Sequence, residues 1–447
     1  MKNFSLRSGF LGMTFPAAAA LLLGSLLWTG CGQAEAPRQH PHVVLLVVDT
    51  LRQDRLNPYG DPGRMVTPHL QDLVSHDGAV ALPGLLAASS WTKPSMATIW
   101  TGQTPAEHGV MRLQGAHARL QTEQTLPVSF AAAGYRTGGV MSNFLLTRRM
   151  GAGFERGFQF WDDAPGRHPD PHRGTTAQEV TSSGLSWLKQ QGASEDAAPV
   201  FLMLHYFDPH ASFEDQADVD FSVSDYEGWV TPGASTDLLR EYEAKVTAED
   251  QAALMAWYDE EVWAVDRAIG QVVETLKAQG MWEDTILMIT SDHGEELGER
   301  KHIGHTQTLM SELVDLPLVV RIPEAYQSRW NLPEAKAQGG YAMTQLMPAL
   351  LSVAGVPMPP QCSLEAPEVL QAEVDFEPVR KEHVEKYVRQ RAVRAHGLQL
   401  TWDMRGEQMW LHDLAQDPQM RQALPADHPG WEKMRPLLEQ VQFWEAP

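Results

Sequence analysis

Val43-Val44-Leu45-Leu46-Val47-Val48-Asp49 is a run of six apolar residues, four of them valine, that ends on a carboxylate. It is too short for a helix and lacks polar alternation, so it reads as a strand buried on both faces. Two later stretches share the pattern. Phe201-Leu202-Met203-Leu204 runs into His205, Tyr206, Phe207, Asp208, Pro209 and His210, and Thr285 to Thr290 runs into Ser291-Asp292-His293-Gly294. Helix-like stretches lie between them; Glu241 to Gly280 carries apolar residues at helical spacing and closes on a glycine. This alternation predicts an α/β fold, a doubly wound and mostly parallel sheet flanked by helices. Such sheets bind ligands outside the carboxyl ends of their strands, where Asp49, His205 to His210 and Asp292-His293 all fall. One strand-terminal Asp is an ordinary loop or cap residue. Three strands that all end in Asp or His carry the donors of a Zn²⁺, Mn²⁺, Mg²⁺ or Ca²⁺ site.

Around these strands, 447 residues with 43% hydrophobic content suffice for one large core and a small companion. The turn-rich Gly355-Val356-Pro357-Met358-Pro359-Pro360 sets the expected boundary. Residues 42–357 form the catalytic domain and 358–447 a small α+β subdomain, on which a helix from Trp431 to Phe443 packs. A net charge of −22 without a long basic run argues against nucleic acid as a partner.

The N-terminus reads as an export signal. Lys2 and Arg7 precede an apolar stretch from Phe10 to Trp28, which ends in Leu27-Trp28-Thr29-Gly30-Cys31. That ending resembles a bacterial lipobox, with Trp28 in place of the usual Leu. Residues 1–31 are then a lipoprotein signal peptide, Cys31 carries the lipid, and residues 32–41 are a tether. Acyl chains hold a protein by burying CH₂ groups worth about 0.8 kcal/mol each. A plain secretory signal or an uncleaved anchor helix are the alternatives. The lipidated form is exported and held at a bacterial envelope membrane, periplasmic or surface-facing; Gly32-Gln33, with no Asp, favours the outer membrane. Cys362, the only other cysteine, would then have no intramolecular disulfide partner.

Several blocks resemble, in order, the sulfatase family of the alkaline-phosphatase superfamily. Val43 to Arg52 is similar to its opening strand, Thr67-Pro68-His69-Leu70 to the helix start that follows, and Ser90-Trp91-Thr92-Lys93-Pro94-Ser95-Met96-Ala97-Thr98 to its nucleophile segment. Thr101 to Val110, Leu204 to His210, Ser291 to Glu299 and Trp410 to Pro418 resemble further blocks. The resemblance implies a catalytic metal held by Asp49, Thr92, Asp292 and His293, with Thr92 attacking phosphorus or sulfur in line to form a covalent intermediate. A threonine hydroxyl is a poor nucleophile at neutral pH, and metal coordination would activate it. The resemblance also casts His210 and His305 as contacts to the anion or leaving group. Lys93 either neutralises the anion or points to solvent, and Asn143 either bonds an anion oxygen or is structural. His205 and His302 are read as surface or cap histidines, with second-metal ligation as the alternative, and His108 as structural.

The nucleophile segment departs from the common sulfatase pattern. There a Cys or Ser is oxidised to formylglycine; Thr92 cannot be, because its extra methyl would give a ketone. The Arg of that frame is Met96 here. Phosphoethanolamine transferases and lipoteichoic acid synthases of the superfamily use an unmodified Thr, so the sequence leans toward a hydrolase or transferase of phosphoester or phosphodiester substrates. A sulfatase without formylglycine is the alternative, and an inactive ligand-binding envelope lipoprotein a second. One tightly held divalent metal is expected, Zn²⁺ or Mn²⁺ before Mg²⁺ or Ca²⁺, because Thr50 stands where many sulfatases place a further Asp. A second metal is possible if His305, His210 and Asp208 hold one. Asp49 and Asp292 would cancel the charge of one metal, which favours monoanionic esters. The substrate is expected to be a small molecule, a glycan or a lipid head group carrying the anionic ester. Replacing Cys31 by Ser should abolish labelling by radioactive palmitate and release the protein on gentle washing of membranes; a variant that still partitions into detergent would mean an uncleaved helix.

Overall fold

The computed structural model describes residues 38–168, 176–192, 197–336, 340–378 and 387–445. The export segment, Cys31 and the first part of the tether lie outside the described residues. The first strand, β1 (His42–Val48), is buried at every position. Its side chains alternate between two cores: Val43, Leu45 and Val47 enter one, Val44, Leu46 and Val48 the other. Helices Thr92–Thr101 and Leu346–Ala354 fill the first core, and Ala177–Lys189 and Ala248–Ala278 the second. Covering both faces is what removes polar alternation from the central strands.

The main sheet runs in the order β10 (Tyr341–Ala342), β2 (Ala79–Leu86), β9 (Asp315–Arg321), β6 (Thr285–Ser291), β1, β5 (Val200–Tyr206), β3 (Arg136–Met141) and β4 (Phe160–Asp162). Only β9 runs against its neighbours, so the mostly parallel, helix-flanked α/β sheet is as expected. Between β6 and β9 a two-stranded ladder, β7 (Glu296–Leu297) with β8 (Ile303–Gly304), braces the loop after His293. Two helices differ from the sequence reading, the last running over Gly430–Gln440 rather than Trp431 to Phe443. The long helix begins at Ala248 rather than Glu241, because Thr247 caps it: its Oγ1 accepts from Asp250 N at 3.1 Å while Asp250 Oδ2 accepts from Thr247 N at 2.9 Å. Residues Thr236–Tyr242 form a separate short helix.

Four antiparallel strands follow, β11 (Leu370–Phe376), β12 (Val388–Ala395), β13 (Leu398–Asp403) and β14 (Gln408–Asp413), in a sheet of their own. The last helix, Gly430–Gln440, covers this sheet with Met434 and Leu438 against Val393, Leu400 and Leu411. Leu370, Ala372, Val374 and Ala392 join the first core of the main sheet, and Glu373 N donates to Ala88 O at 3.0 Å. Residues 38–447 therefore make one compact unit rather than a hinged pair. Burial predicts unequal costs within the sheet. Leu45→Ala, at a side chain with 0% exposure, should lose ~2–5 kcal/mol in denaturant unfolding. Val80→Thr on β2, 55% exposed, should stay within about 0.5 kcal/mol of the parent; equal losses would contradict the central place of β1.

Candidate active site

Strands β6, β1, β5 and β3 lie side by side and parallel, so their carboxyl ends share one edge. Val48 stands opposite both Tyr206 and Ser291, which puts Asp49 and Asp292 at the same level, one residue beyond the strands. His205 is opposite Val47 and Met141, and Asn143 follows two residues after β3. Thr92 comes from the other direction, as the first residue of the helix Thr92–Thr101. Trp91 before it is extended, and the helix ends at Gly102 in the left-handed region with φ 67°. Its positive end therefore faces the strand edge.

The side chains converge. Asn143 Nδ2 donates to Asp49 Oδ2 at 2.6 Å and to Thr92 Oγ1 at 3.3 Å. Thr92 Oγ1 is 3.2 Å from His293 Nε2, and that nitrogen is 3.5 Å from both Asp49 Oδ1 and Asp292 Oδ2. His293 Nδ1 donates to the Gly294 carbonyl at 2.9 Å, so Nε2 presents its lone pair to the cluster. His205 Nε2 is 3.9 Å from Asp49 Oδ2. Ligand atoms of Asp49, His205 and Asp292 lie within 4.8 Å of one another.

This arrangement lacks the partners that buried polar atoms normally have. Asp49 Oδ1, Asp292 Oδ2 and both ring nitrogens of His205 are buried with no hydrogen-bond partner. Burial, and then the Asp292 carboxylate, push the Asp49 carboxyl well above the usual range; burial holds His205 down at about 4. Orphaned buried donors and acceptors are costly. A divalent cation would satisfy the carboxylates and the neutral imidazole together, so these residues fit the metal expected here.

A second layer holds the first. Thr50, directly after Asp49, sits at φ 57°, a strained conformation for a β-branched residue. Tyr258 on the long helix fixes it: its hydroxyl donates to Thr50 O and accepts from Arg52 N, both at 2.8 Å. Arg52 is buried and bonds Glu299 Oε1 at 2.9 Å and Glu295 O at 3.1 Å, tying the β1 loop to the Asp292 loop. Gly294 has no room for a side chain, since a Cβ would lie 1.9 Å from the Glu312 carbonyl.

His305 and His210 stand beside the cluster. The His305 ring centroid is 4.5 Å from that of His293 and 4.9 Å from that of His210. His305 Nδ1 bonds Glu295 Oε1 at 2.9 Å, and Glu295 Oε2 accepts from Ala211 N at 3.1 Å. His210 Nδ1 bonds the Ala211 carbonyl at 2.6 Å. Lys93 goes elsewhere: it is buried rather than solvated, and its ammonium donates to the Leu113 carbonyl at 3.2 Å. Burial lowers its pKa to about 8. Asp208 Oδ2 accepts from Ala177 N at 2.6 Å. His108 bridges Thr98 Oγ1 and Val110 N, the structural place expected of it.

Two members were not legible as such. His205 was read as a surface or cap residue, yet it is fully buried at the centre of the cluster; its place at the end of β5, level with the Asp49 end of β1, was the available signal. Glu295 carries no spacing signal of its own and emerges only through its bonds to His305 and Ala211.

The family model for sulfatases matches residues 41–356, which include every residue of this site. The chain is a member of the sulfatase family. It is 28% identical over 172 residues to the endo-4-O-sulfatase of Bacteroides thetaiotaomicron, covering 38% of this chain and 32% of that one. It is 26% identical over 295 residues to the N-acetylgalactosamine-6-sulfatase of Rattus norvegicus, covering 63% and 55%. It thus spans about a third of the first relative and about half of the second. Its fold is similar to that of a protein solved in complex with its substrate D-glucosamine-2-N,6-O-disulfate, with a TM-score of 0.66, 19% identity and 90% and 97% of the two chains covered.

For this sulfatase-family site, Asp292→Asn, His293→Ala and His205→Ala should each lose metal on purification, by elemental analysis, as removal of a ligand demands. Thr92→Ala should keep it. Full metal occupancy in all three ligand variants would show that the site is misplaced.

Proposed function

We propose that this protein is an exported, lipid-anchored hydrolase of sulfate monoesters whose nucleophile is unmodified Thr92. The observation that carries the reading is the place of Thr92 Oγ1: at the positive end of a buried helix, 3.2 Å from His293 Nε2 and 3.3 Å from Asn143 Nδ2. The sequence alone leaned toward phosphoryl esters; the relatives, which are named as sulfatases, move the weight to sulfate.

Asp49, His205, Asp292 and His293, with Thr92, would hold a divalent metal, and the mixed carboxylate and imidazole donors suit Zn²⁺ or Mn²⁺. When bound, the metal acidifies the Thr92 hydroxyl and offsets charge on the ester oxygens. The chain itself supplies position. Asn143 fixes the Asp49 carboxylate and Thr92 relative to each other, and Glu295 and the Ala211 carbonyl fix the rings of His305 and His210. Thr92 Oγ attacks sulfur and gives up its hydroxyl proton, the bond from sulfur to the alcohol oxygen breaks in line, and that oxygen takes up one proton through His305, which Glu295 orients. His210, whose pKa burial lowers to about 3, stays neutral and contributes no proton. Water then attacks the sulfur of the Thr92 sulfate ester, one of its protons returning to Thr92 and the other leaving with the released sulfate.

A second reading rests on Thr92 and Met96 themselves. Lacking the formylglycine frame, the site suits phosphonate monoesters and phosphodiesters, which are also monoanions.

The test is hydrolysis of four aryl esters, a sulfate, a phosphonate monoester, a phosphodiester and a phosphomonoester, with the metal varied. The sulfate ester should be preferred, and Thr92→Ala should lower its turnover by about 10³-fold or more. In oxygen-18 water the label should enter sulfate and not the alcohol. Preference for the phosphonate or the diester would establish the second reading; no hydrolysis of any of the four would leave a ligand-binding lipoprotein.

A further inference from the structure

Thr92 opens a helix that no side chain caps, because Trp91 before it is extended and offers no acceptor to the first turn. Ser, Thr, Asp or Asn usually fixes a helix start at that place. Here the start is held from its flanks. The Trp91 ring, 2% exposed, meets the Phe376 ring of β11 edge-on, with centroids 5.5 Å apart. On the other side Lys93 donates to the Leu113 carbonyl.

Both flanks end on one side chain. Arg112, beside Leu113, donates through Nη1 to Asp375 O at 2.9 Å and to Asp375 Oδ1 at 2.8 Å, and Asp375 precedes Phe376. The loop that receives Lys93 and the strand that receives Trp91 are therefore joined at Arg112. Its guanidinium lies over the Trp444 ring, 4.3 Å from the centroid. Trp444 N in turn donates to Glu373 Oε2 at 2.8 Å, while Glu373 N holds the Ala88 carbonyl on the approach to Thr92. Next to Trp444, Glu445 bonds Arg389 at 2.8 Å and also Arg391.

The arginines of this cluster are met within it: Arg112 by Asp375 and Glu377, Arg389 by Asp375 and Glu445, Arg391 by Glu445. None is left over for an anion. Ion pairs taken out of water return little net stability; what they fix is geometry. Geometry matters at this place, since a nucleophile misplaced by about 1 Å can lose ~10²-fold in rate. The contacts of Thr92 Oγ1 with His293 and Asn143, at 3.2 and 3.3 Å, are near the long limit of hydrogen bonds, so a small shift breaks them.

We propose that Arg112, clamped by Trp444 near the C-terminus, is a positioning residue for the nucleophile. Through Asp375 and Leu113 it sets Trp91 and Lys93, and so the place at which Thr92 Oγ1 meets Asn143 and His293. The proposal rests on the reading of Thr92 as the nucleophile of an ester hydrolase, and part of its test needs no turnover. Full-length Arg112→Ala, Trp444→Ala and Trp444→Phe proteins would be compared with the parent. The measurements are kcat and KM on the aryl ester that the parent hydrolyses fastest, metal content by elemental analysis, and crystal structures.

Arg112→Ala and Trp444→Ala should each lower kcat by about tenfold or more, with KM and metal content unchanged. Trp444→Phe, which keeps an aromatic face against the guanidinium, should restore most of kcat. In crystals of the two alanine variants Thr92 Oγ1 should lie beyond hydrogen-bond reach of Asn143 Nδ2. Should Arg112→Ala fail to fold, Trp444→Ala carries the same test. An unchanged kcat, an unmoved Thr92 Oγ1, or a loss of metal that accounts for the lost turnover would overturn the positioning role. A displaced Thr92 in a protein whose parent hydrolyses none of the esters would uphold that role and remove only the proposed reaction.

Discussion

Two carboxylates, Asp49 and Asp292, are held side by side in the interior at the ends of adjacent parallel strands, and the surrounding structure is arranged around that constraint. Like charges in a low-dielectric site repel strongly, and burial with the Asp292 charge drives the Asp49 carboxyl upward accordingly. The chain provides no Lys or Arg in contact with either carboxylate among the contacts of the described residues; it provides His205, His293 and the Asn143 amide instead. With no guanidinium or ammonium against them in those contacts, the two carboxylates are suited to a bound cation. Removing such a cation costs more than catalytic power, since it exposes the fold to an uncompensated pair.

The same constraint explains the conformation of the loops. Directly after Asp49 the chain turns at Thr50 with φ 57°, and a strained residue persists only where its surroundings over-determine it. Tyr258 and Arg52 perform that role, the first from the long helix and the second through Glu299. The capping of that helix at Thr247 therefore bears on the site: it sets where the helix begins, and Tyr258 lies three turns along it. Stability and geometry are coupled through these residues, although none is placed to touch the substrate.

Legibility in the sequence followed physical cause. β1, β5 and β6 could be read because burial on both faces leaves an unbroken apolar run, and the ligand-type residues at their ends followed from the rule for parallel sheets. The short strands β4 and β10, of three and two residues, carry no periodicity to detect. The start of the long helix was misplaced because Thr236 to Tyr242 continues the helical pattern, while the capping by Thr247 depends on one side-chain bond. His205 was misjudged because a histidine inside a strand is as often structural as functional, and only the register with β1 separates the cases. Glu295, Tyr258 and Arg52 act across more than two hundred residues of sequence or through another side chain, and no local pattern records such contacts. Of the domain boundary, the turn at Gly355 is evident in sequence; the way Leu370, Ala372 and Val374 complete the core of the main sheet is not.

The charge balance also bears on the ester. Asp49 and Asp292 bring two negative charges, which one divalent cation cancels, and the incoming anion then meets a nearly neutral pocket. Lys93, the one ammonium next to the nucleophile in sequence, is directed to the Leu113 carbonyl and drops out of the count. With less positive charge available than the sequence suggested, a dianionic phosphomonoester is further disfavoured, while a monoanion needs no more compensation than the site has. Sulfate monoesters, phosphodiesters and phosphonate monoesters all meet that condition. On this charge balance the proposed reaction suits monoanions as a class, and the choice within that class falls to shape and leaving group.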